Sequence, residues 1–234
     1  KVNNTKTLEM TIIAIFMNPV YRFTLQCCID TLKTIMMTGG LYIMTDERLR
    51  EAGIQFNLSV MSDDFADVIL SALDNVDTTN VWMKTDDVAT AATGSIADVF
   101  DVVKAIYLNA AKTGIHTEMS GNIVLGGCNT GDDNNDNDKV QLNKKTSDGI
   151  SQTAGCRFSI YPLGEENYID KITKEVEKLP DYGVEVSMAP FATRLDGEVN
   201  DIFTALEATF TEIQKTSKHV VMPFTISCNS PSDQ

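Results

Sequence analysis

At 234 residues, with 43% apolar and 22% charged side chains, the chain is long enough for one or two real cores of ordinary soluble type. Its formal charge of −14 argues against a duplex or RNA partner, because neutralising phosphates takes a surplus of Lys and Arg. The same charge tolerates a cationic small ligand.

Five cysteines (Cys27, Cys28, Cys128, Cys156 and Cys228) make an odd set without a CxxC pair, and no His stands at zinc-ligand spacing from them. A metal site and a disulfide framework are both unsupported, and Cys156 and Cys228 sit in apolar runs as small hydrophobes. A cytoplasmic chain is expected.

Residues 1–43 differ from the rest in holding only two acids, Glu9 and Asp30. "MTIIAIFM" is far shorter than the ~20 apolar residues of a spanning helix. Glu9 and Asn18-Pro19 interrupt any signal peptide. "MTDERLREAG" from Met44 reads as an ordinary protein start, so 1–43 is expected to be a non-native or disordered extension.

In chain order, "IQFNLSVM" alternates as a strand, and "DDFADVILSALDNV" repeats Phe65, Ile69, Ala72, Leu73 and Val76 at helical spacing. "NVWMKT" and "DVATAAT" are short extended runs. Ile96, Val99, Phe100, Val103 and Tyr107 then form one apolar helical stripe, opened by a capping-box-like Ser95 and Asp98. "IHTEMSGNIVL" closes the unit as a strand.

Residues 128–154 are rich in Gly, Asn, Asp, Ser and Thr and read as an exposed polar linker. Asp132, Asn134 and Asp136 have calcium-loop spacing there, but Asn137 and Asn143 replace the Gly and the closing Glu such a loop needs.

The order of elements then repeats. One constant shift lays Val81–Val124 on Val184–Ser227 without a gap, matching Ala89-Thr90 to Ala192-Thr193, Gly94 to Gly197, Phe100 to Phe203 and His116 to His219. "GIQFNLSVM" and "GCRFSIYPL" join this alignment after a one-residue adjustment. The chain therefore divides into a first unit over 44–127 and a second over 155–234. Each reads as the ferredoxin-like βαββαβ unit, so the expected class is α+β with antiparallel sheets. Helices cover one face of such a sheet, and the other needs a second sheet, a subunit or a ligand.

Strand parity separates core from open face. Phe56 and Leu58 match Phe158 and Ile160 as the inward set. Gln55, Asn57 and Ser59, with Trp82 and Lys84, match Arg157, Ser159 and Tyr161, with Glu185 and Ser187, as the outward set. Donors, acceptors and a ring system on one face suit a flat heterocycle. A simply solvated or inter-sheet polar face fits the same pattern. His116 and His219 occupy equivalent positions, which suits a structural role, and no nucleophile elbow, zinc-protease, P-loop or dinucleotide motif occurs. No enzyme, metal or cofactor is expected.

The segments "SVMSDDFADVILSALDNVDTTNVWMKTD", "GSIADVFDVVKAIYLNAAK", "RFSIYPL", "LDGEVNDIFTALEATF" and "NSPS" resemble the YkoF family of cytoplasmic hydroxymethylpyrimidine/thiamine-binding proteins. The resemblance runs from about Met44 to the C-terminus. It implies tandem ferredoxin-like units, a homodimer, thiamin bound through its aminopyrimidine half, and a link to uptake of the pyrimidine precursor with contact to a transporter. It also implies sites near Leu58 and Thr90 in the first unit and near Ile160 and Thr193 in the second. The family strand reads like G-F-R-F-S-L-Y-P. The first unit departs from it at Gln55, Ser59 and Val60, whereas the second keeps Arg157, Tyr161 and Pro162, so the two sites are expected to differ. A ligand-sensing module acting through a partner protein is the alternative reading.

Overall fold

The computed structural model describes residues 52–125, 141–217 and 219–233. The expectations for 1–43, for Cys27, Cys28 and Cys128, and for the Asp132–Asp136 spacing fall outside them.

Alternation sets the strands. In β1 (Ala52–Val60), Ala52, Ile54, Phe56 and Val60 are buried while Gln55, Asn57 and Ser59 are exposed. The first unit continues with α1 (Phe65–Asp74), β2 (Trp82–Thr85), β3 (Thr90–Gly94), α2 (Ile96–Ala111) and β4 (Thr117–Leu125). Ser95 caps α2 as expected, its Oγ accepting from the Asp98 amide at 3.2 Å, and the Ser95 hydroxyl also bonds the Asp98 carboxylate. The second unit runs β5 (Thr153–Phe158), β6 (Tyr161–Leu163), α4 (Tyr168–Val176), β7 (Glu185–Ala189), β8 (Ala192–Glu198), α5 (Val199–Gln214) and β9 (His219–Cys228), after a short α3 (Lys144–Ser147).

"GCRFSIYPL", expected as one strand, is divided into β5 and β6. The register against β9 is unchanged across the break: Phe158 faces Phe224 and Tyr161 faces Val221. The ladder lapses opposite Pro223, which has no N–H to donate; the Ser159 amide still donates to the Pro223 carbonyl at 3.1 Å.

The two units join edge to edge. Strand order is β2-β3-β1-β4-β9-β5-β8-β7, with β6 also on β9, so the described strands form one antiparallel sheet. At the seam β4 pairs with β9, and Gly121 lies opposite Phe224. The repeat shift maps one of these two residues onto the other, so a pseudo-twofold axis passes between them. A Cβ on Gly121 would lie 3.0 Å from both the Gln55 carbonyl oxygen and Phe224 Cε1, and 3.1 Å from Phe56 Cβ. Small opposes large at the axis because two rings cannot share it.

Helices α2 and α5 cover one sheet face and meet over the axis. The Phe100–Phe210 and Tyr107–Phe203 ring pairs, with centroids 6.2 and 6.3 Å apart, exchange under the repeat shift. Lys104 and Glu207 are likewise equivalent positions, one on each helix. Burial raises the Glu207 carboxyl above the usual glutamate range; Lys104 and Lys144 oppose that rise, and Asp101 adds to it.

The described end of the linker is not simply exposed. Asn143 is buried, its amide N–H and Nδ2 donating to Asp101 Oδ2 at 3.0 and 2.9 Å, while its Oδ1 accepts from the Asp77 amide at 2.8 Å. Asn200 Nδ2 donates to the Ser147 and Ile150 carbonyls. A polar composition predicted solvation, but Asn143 bonds Asp101 on α2, and the Ser147 and Ile150 carbonyls accept from Asn200 on α5. Asn229, at a left-handed φ of 54°, ties the end of β9 to the end of α2 through Ala111 and Ile115 carbonyls at 3.1 and 3.2 Å.

Gly121→Ala is expected to destabilise the chain by about 1–3 kcal/mol, the usual cost of forcing a methyl into a packed site, measured by denaturant unfolding. For Glu207, a raised folded pKa means the native state holds the proton more tightly than the unfolded chain. Stability therefore falls as pH rises through the window between the ordinary and raised values. Glu207→Gln should melt above the parent at neutral pH, and the two should converge below about pH 4, under the unfolded glutamate value; calorimetric scans across pH check this.

Candidate functional site

The register places the sequence-derived candidates on two opposite faces of one sheet. Pairing carries a transverse row from Trp82 through Thr93, Gly53, Val124 and Val221 to Tyr161. A parallel row runs Asn57, Ser120, Thr225, Arg157, Arg194, Ser187, and Lys84 lies in line with Ala91, Gln55 and Asn122. Gln55, Asn57, Trp82, Lys84, Arg157 and Tyr161 therefore share the helix-free face, as parity predicts. Ser120 and Thr225 hydroxyls bond across the seam at 3.1 Å, so this face is continuous over both units.

Leu58, Thr90, Ile160 and Thr193 belong to the other parity. Leu58 pairs with the fully buried Met119, Thr90 with the buried Phe56, and Thr193 with the buried Phe158. Ile160 is itself buried. Ser159 departs from its expected partners: it is half-buried, and its Oγ donates to the Phe191 carbonyl in the β7–β8 turn at 3.1 Å.

These residues mark equivalent notches. Pairing of β1 with β3 stops at Phe56 and Thr90, and pairing of β5 with β8 stops at Phe158 and Thr193. Leu58 and Ile160 each lie two residues past that stop. The Met61 amide donates to the His116 carbonyl and the Ser159 amide to the Pro223 carbonyl, so odd-numbered residues here turn toward β4 or β9. Alternation in an antiparallel ladder then turns the N–H and C=O of Leu58 and Ile160 the other way, past the ends of β3 and β8. Each notch thus pairs a main-chain donor and acceptor with a nearby Thr hydroxyl; that of Thr90 lies 3.0 Å from the Thr85 hydroxyl. A donor–acceptor edge of this kind matches the edge of an amino-substituted heterocycle.

A further feature lay outside the sequence reading. On the helix-free face of the second unit, a depression of about 540 Å3 is lined in part by Gly155, Glu185, Arg194, Asp196 and Ser227. Arg194 grips Asp196 with two bonds, Nε to Oδ2 at 2.8 Å and Nη2 to Oδ1 at 2.6 Å. The pair lies across Gly155, where a Cβ would come within 2.8 Å of Nη2. The first unit has Ala91 and Thr93 at those positions. Arg and Asp two apart on the outward parity of β8 were the available signal. Of the outward residues read from the sequence, Glu185 lines this depression, while Gln55, Asn57, Trp82, Lys84, Arg157, Ser159 and Tyr161 do not.

Among the described residues no group of three or more His, Cys, Asp or Glu side chains could hold a metal ion. Cys156 and Cys228 are buried, and burial pushes both thiols above their ordinary value. His116 Nε2 lies 3.1 Å from the Ser227 hydroxyl across the seam. In the β2–β3 turn, the Ala89 and Val88 amides hold the Asp86 carboxyl below the usual range. No helix among the described residues is long and apolar enough to cross a membrane.

Fold and duplicated notches define an α+β protein of tandem ferredoxin-like units sharing one sheet. The family model described as the YKOF-related family matches residues 51–130 and 153–233, and the chain belongs to that family. It is 39% identical over 185 residues, 78% of this chain and 92% of the relative, to YkoF of Bacillus subtilis (strain 168), a protein provisionally named for HMP/thiamine binding. Two solved structures overlap 32% of this chain: a hypothetical protein of Methanocaldococcus jannascii (22% identity, 78% of its chain, TM-score 0.31) and a Thermotoga maritima protein provisionally named for thiamine biosynthesis/salvage (19% identity, 81% of its chain, TM-score 0.29).

Proposed function

We propose that this chain is a non-enzymatic cytoplasmic binding protein for thiamin or its hydroxymethylpyrimidine precursor, serving uptake or salvage of that precursor. The observation that carries the reading is the 39% identity spanning 92% of a relative named for HMP/thiamine binding. The geometry supports it, because both units repeat a main-chain edge beside a Thr hydroxyl, at Leu58 with Thr90 and at Ile160 with Thr193. Each such edge offers an aminopyrimidine both a donor and an acceptor. The acidic charge of −14 suits the cationic thiazolium.

The same reading pairs two copies of the chain through the helix-free faces. Gln55, Asn57, Trp82 and Lys84 of the first unit and Arg157 and Tyr161 of the second then cover polar and aromatic surface in the dimer rather than contact the ligand. Trp82 is the chain's one tryptophan, so its emission should shift to the red on dilution through the dimer dissociation range.

Titration calorimetry of the full chain with thiamin and with hydroxymethylpyrimidine tests the binding. Two events of unequal affinity per chain are expected, because the first unit lacks the counterparts of Arg157, Tyr161 and Pro162. No heat with either compound would sink the reading, and two identical sites would sink the asymmetry.

A further inference from the structure

The turn between β7 and β8 breaks two local rules at one residue. Ala189 pairs with Ala192, so Pro190 and Phe191 alone make the connection. Pro190 has its φ fixed by its ring, and Phe191 sits at a left-handed φ of 63°. That second position of a turn takes Gly or Asn without steric cost, and a bulky side chain there is strained. Phe191 is also 101% exposed and the nearby Met188 99% exposed, in a place where a turn needs no apolar surface. Asn229, which has a left-handed φ as well, tolerates that conformation and uses it to bond the end of α2. Nothing in the packing of the fold asks for Phe191.

Its position answers the question. The Phe191 carbonyl is held by Ser159 Oγ at 3.1 Å, and Ser159 adjoins Ile160, whose main chain turns toward the end of β8. Thr193 is two residues further on. The tip is thus tied to the very notch that the second unit forms. The repeat shift lays Val88 on Phe191, and Val88 is exposed as well, at 69%. Its turn is built differently: Asp86 Oδ1 accepts from the Val88 and Ala89 amides at 2.8 and 3.0 Å, and Val88 has no left-handed φ. Two turns of different construction both keep an apolar residue at the tip beside the notch. Local rules broken without a folding gain are the mark of a functional position.

We propose that Phe191 is a ligand-capping residue, closing over the face of a flat heteroaromatic ring held at the Ile160–Thr193 notch. Met188 borders the same ring, and Val88 is the smaller counterpart over the Leu58–Thr90 notch. The proposal rests on the binding reading above and adds the residue that grades the two sites. Stacking on an aromatic face discriminates for planar ligands, whereas Val88 supplies only a methyl contact.

The test compares the full-length parent with Phe191→Gly, Phe191→Asn, Phe191→Trp and Val88→Gly by calorimetry with thiamin and hydroxymethylpyrimidine, alongside melting temperature and oligomeric state. Phe191→Gly and Phe191→Asn should melt no lower than the parent, since both relieve the left-handed strain. One binding event should weaken by about tenfold or more, the scale of losing one ring stack. Phe191→Trp should retain that affinity, and Val88→Gly should weaken the other event by a smaller factor. Unchanged affinity in both the glycine and asparagine variants overturns the proposal. So does an affinity loss accompanied by a lower melting temperature or an altered oligomeric state, which would make the residue structural or an interface contact. A parent that binds neither compound removes the binding reading and this proposal together; a parent that binds while the Phe191 variants bind equally well removes only the role of Phe191.

Discussion

The contact on which the molecule depends is the pairing of β4 with β9 across Gly121 and Phe224. It turns two small sheets into one continuous sheet and brings α2 and α5 together above it. Because the axis passes between equivalent residues, identical side chains would meet there in a symmetric pair. Duplication within one chain lifts that restriction: glycine on one side leaves room for phenylalanine on the other. Phe224 then packs edge-on against Phe203, with centroids 6.3 Å apart. The same freedom puts Lys104 on one helix where Glu207 stands on the other, a complement that identical halves could not form.

That seam also settles what each sheet face can do. Helices α2 and α5 meet over the centre of one face, and toward its ends the pairing of β1 with β3 and of β5 with β8 stops at Thr90 and Thr193. Leu58, Thr90, Ile160 and Thr193 lie at those ends. The opposite face runs unbroken from Trp82 to Tyr161 and carries polar side chains of both units.

Much of the fold was legible beforehand, for physical reasons that reside in short stretches. Val99, Phe100, Val103 and Tyr107 recur at helical spacing because these positions of α2 reach the core, and Ser95 starts the helix because the first amides need an acceptor. Phe56 and Phe158 agree between the units because both must reach a core. The site was only half legible. Parity gathered Gln55, Asn57, Trp82, Lys84, Arg157 and Tyr161 on the helix-free face and put Leu58 and Ile160 behind it, but could not show that pairing with β3 and β8 stops at Thr90 and Thr193. Parity within a strand says nothing of where its neighbour ends. Nor could composition reveal that Asn143 is buried, since its partners, Asp101 and Asp77, are distant in sequence.

By itself, then, the amino-acid order determined the βαββαβ units, their duplication and the inward residues of the first strand in each, because periodicity and capping are local matters of pleat, turn and hydrogen-bond supply. Tertiary structure alone decided that the units join through β4 and β9, that the linker's end docks on α2 and α5, and that Ser159 holds the strained turn at Phe191 beside Ile160. Those outcomes depend on strand lengths, register and side-chain volume meeting in space, and no short stretch of the chain contains that information.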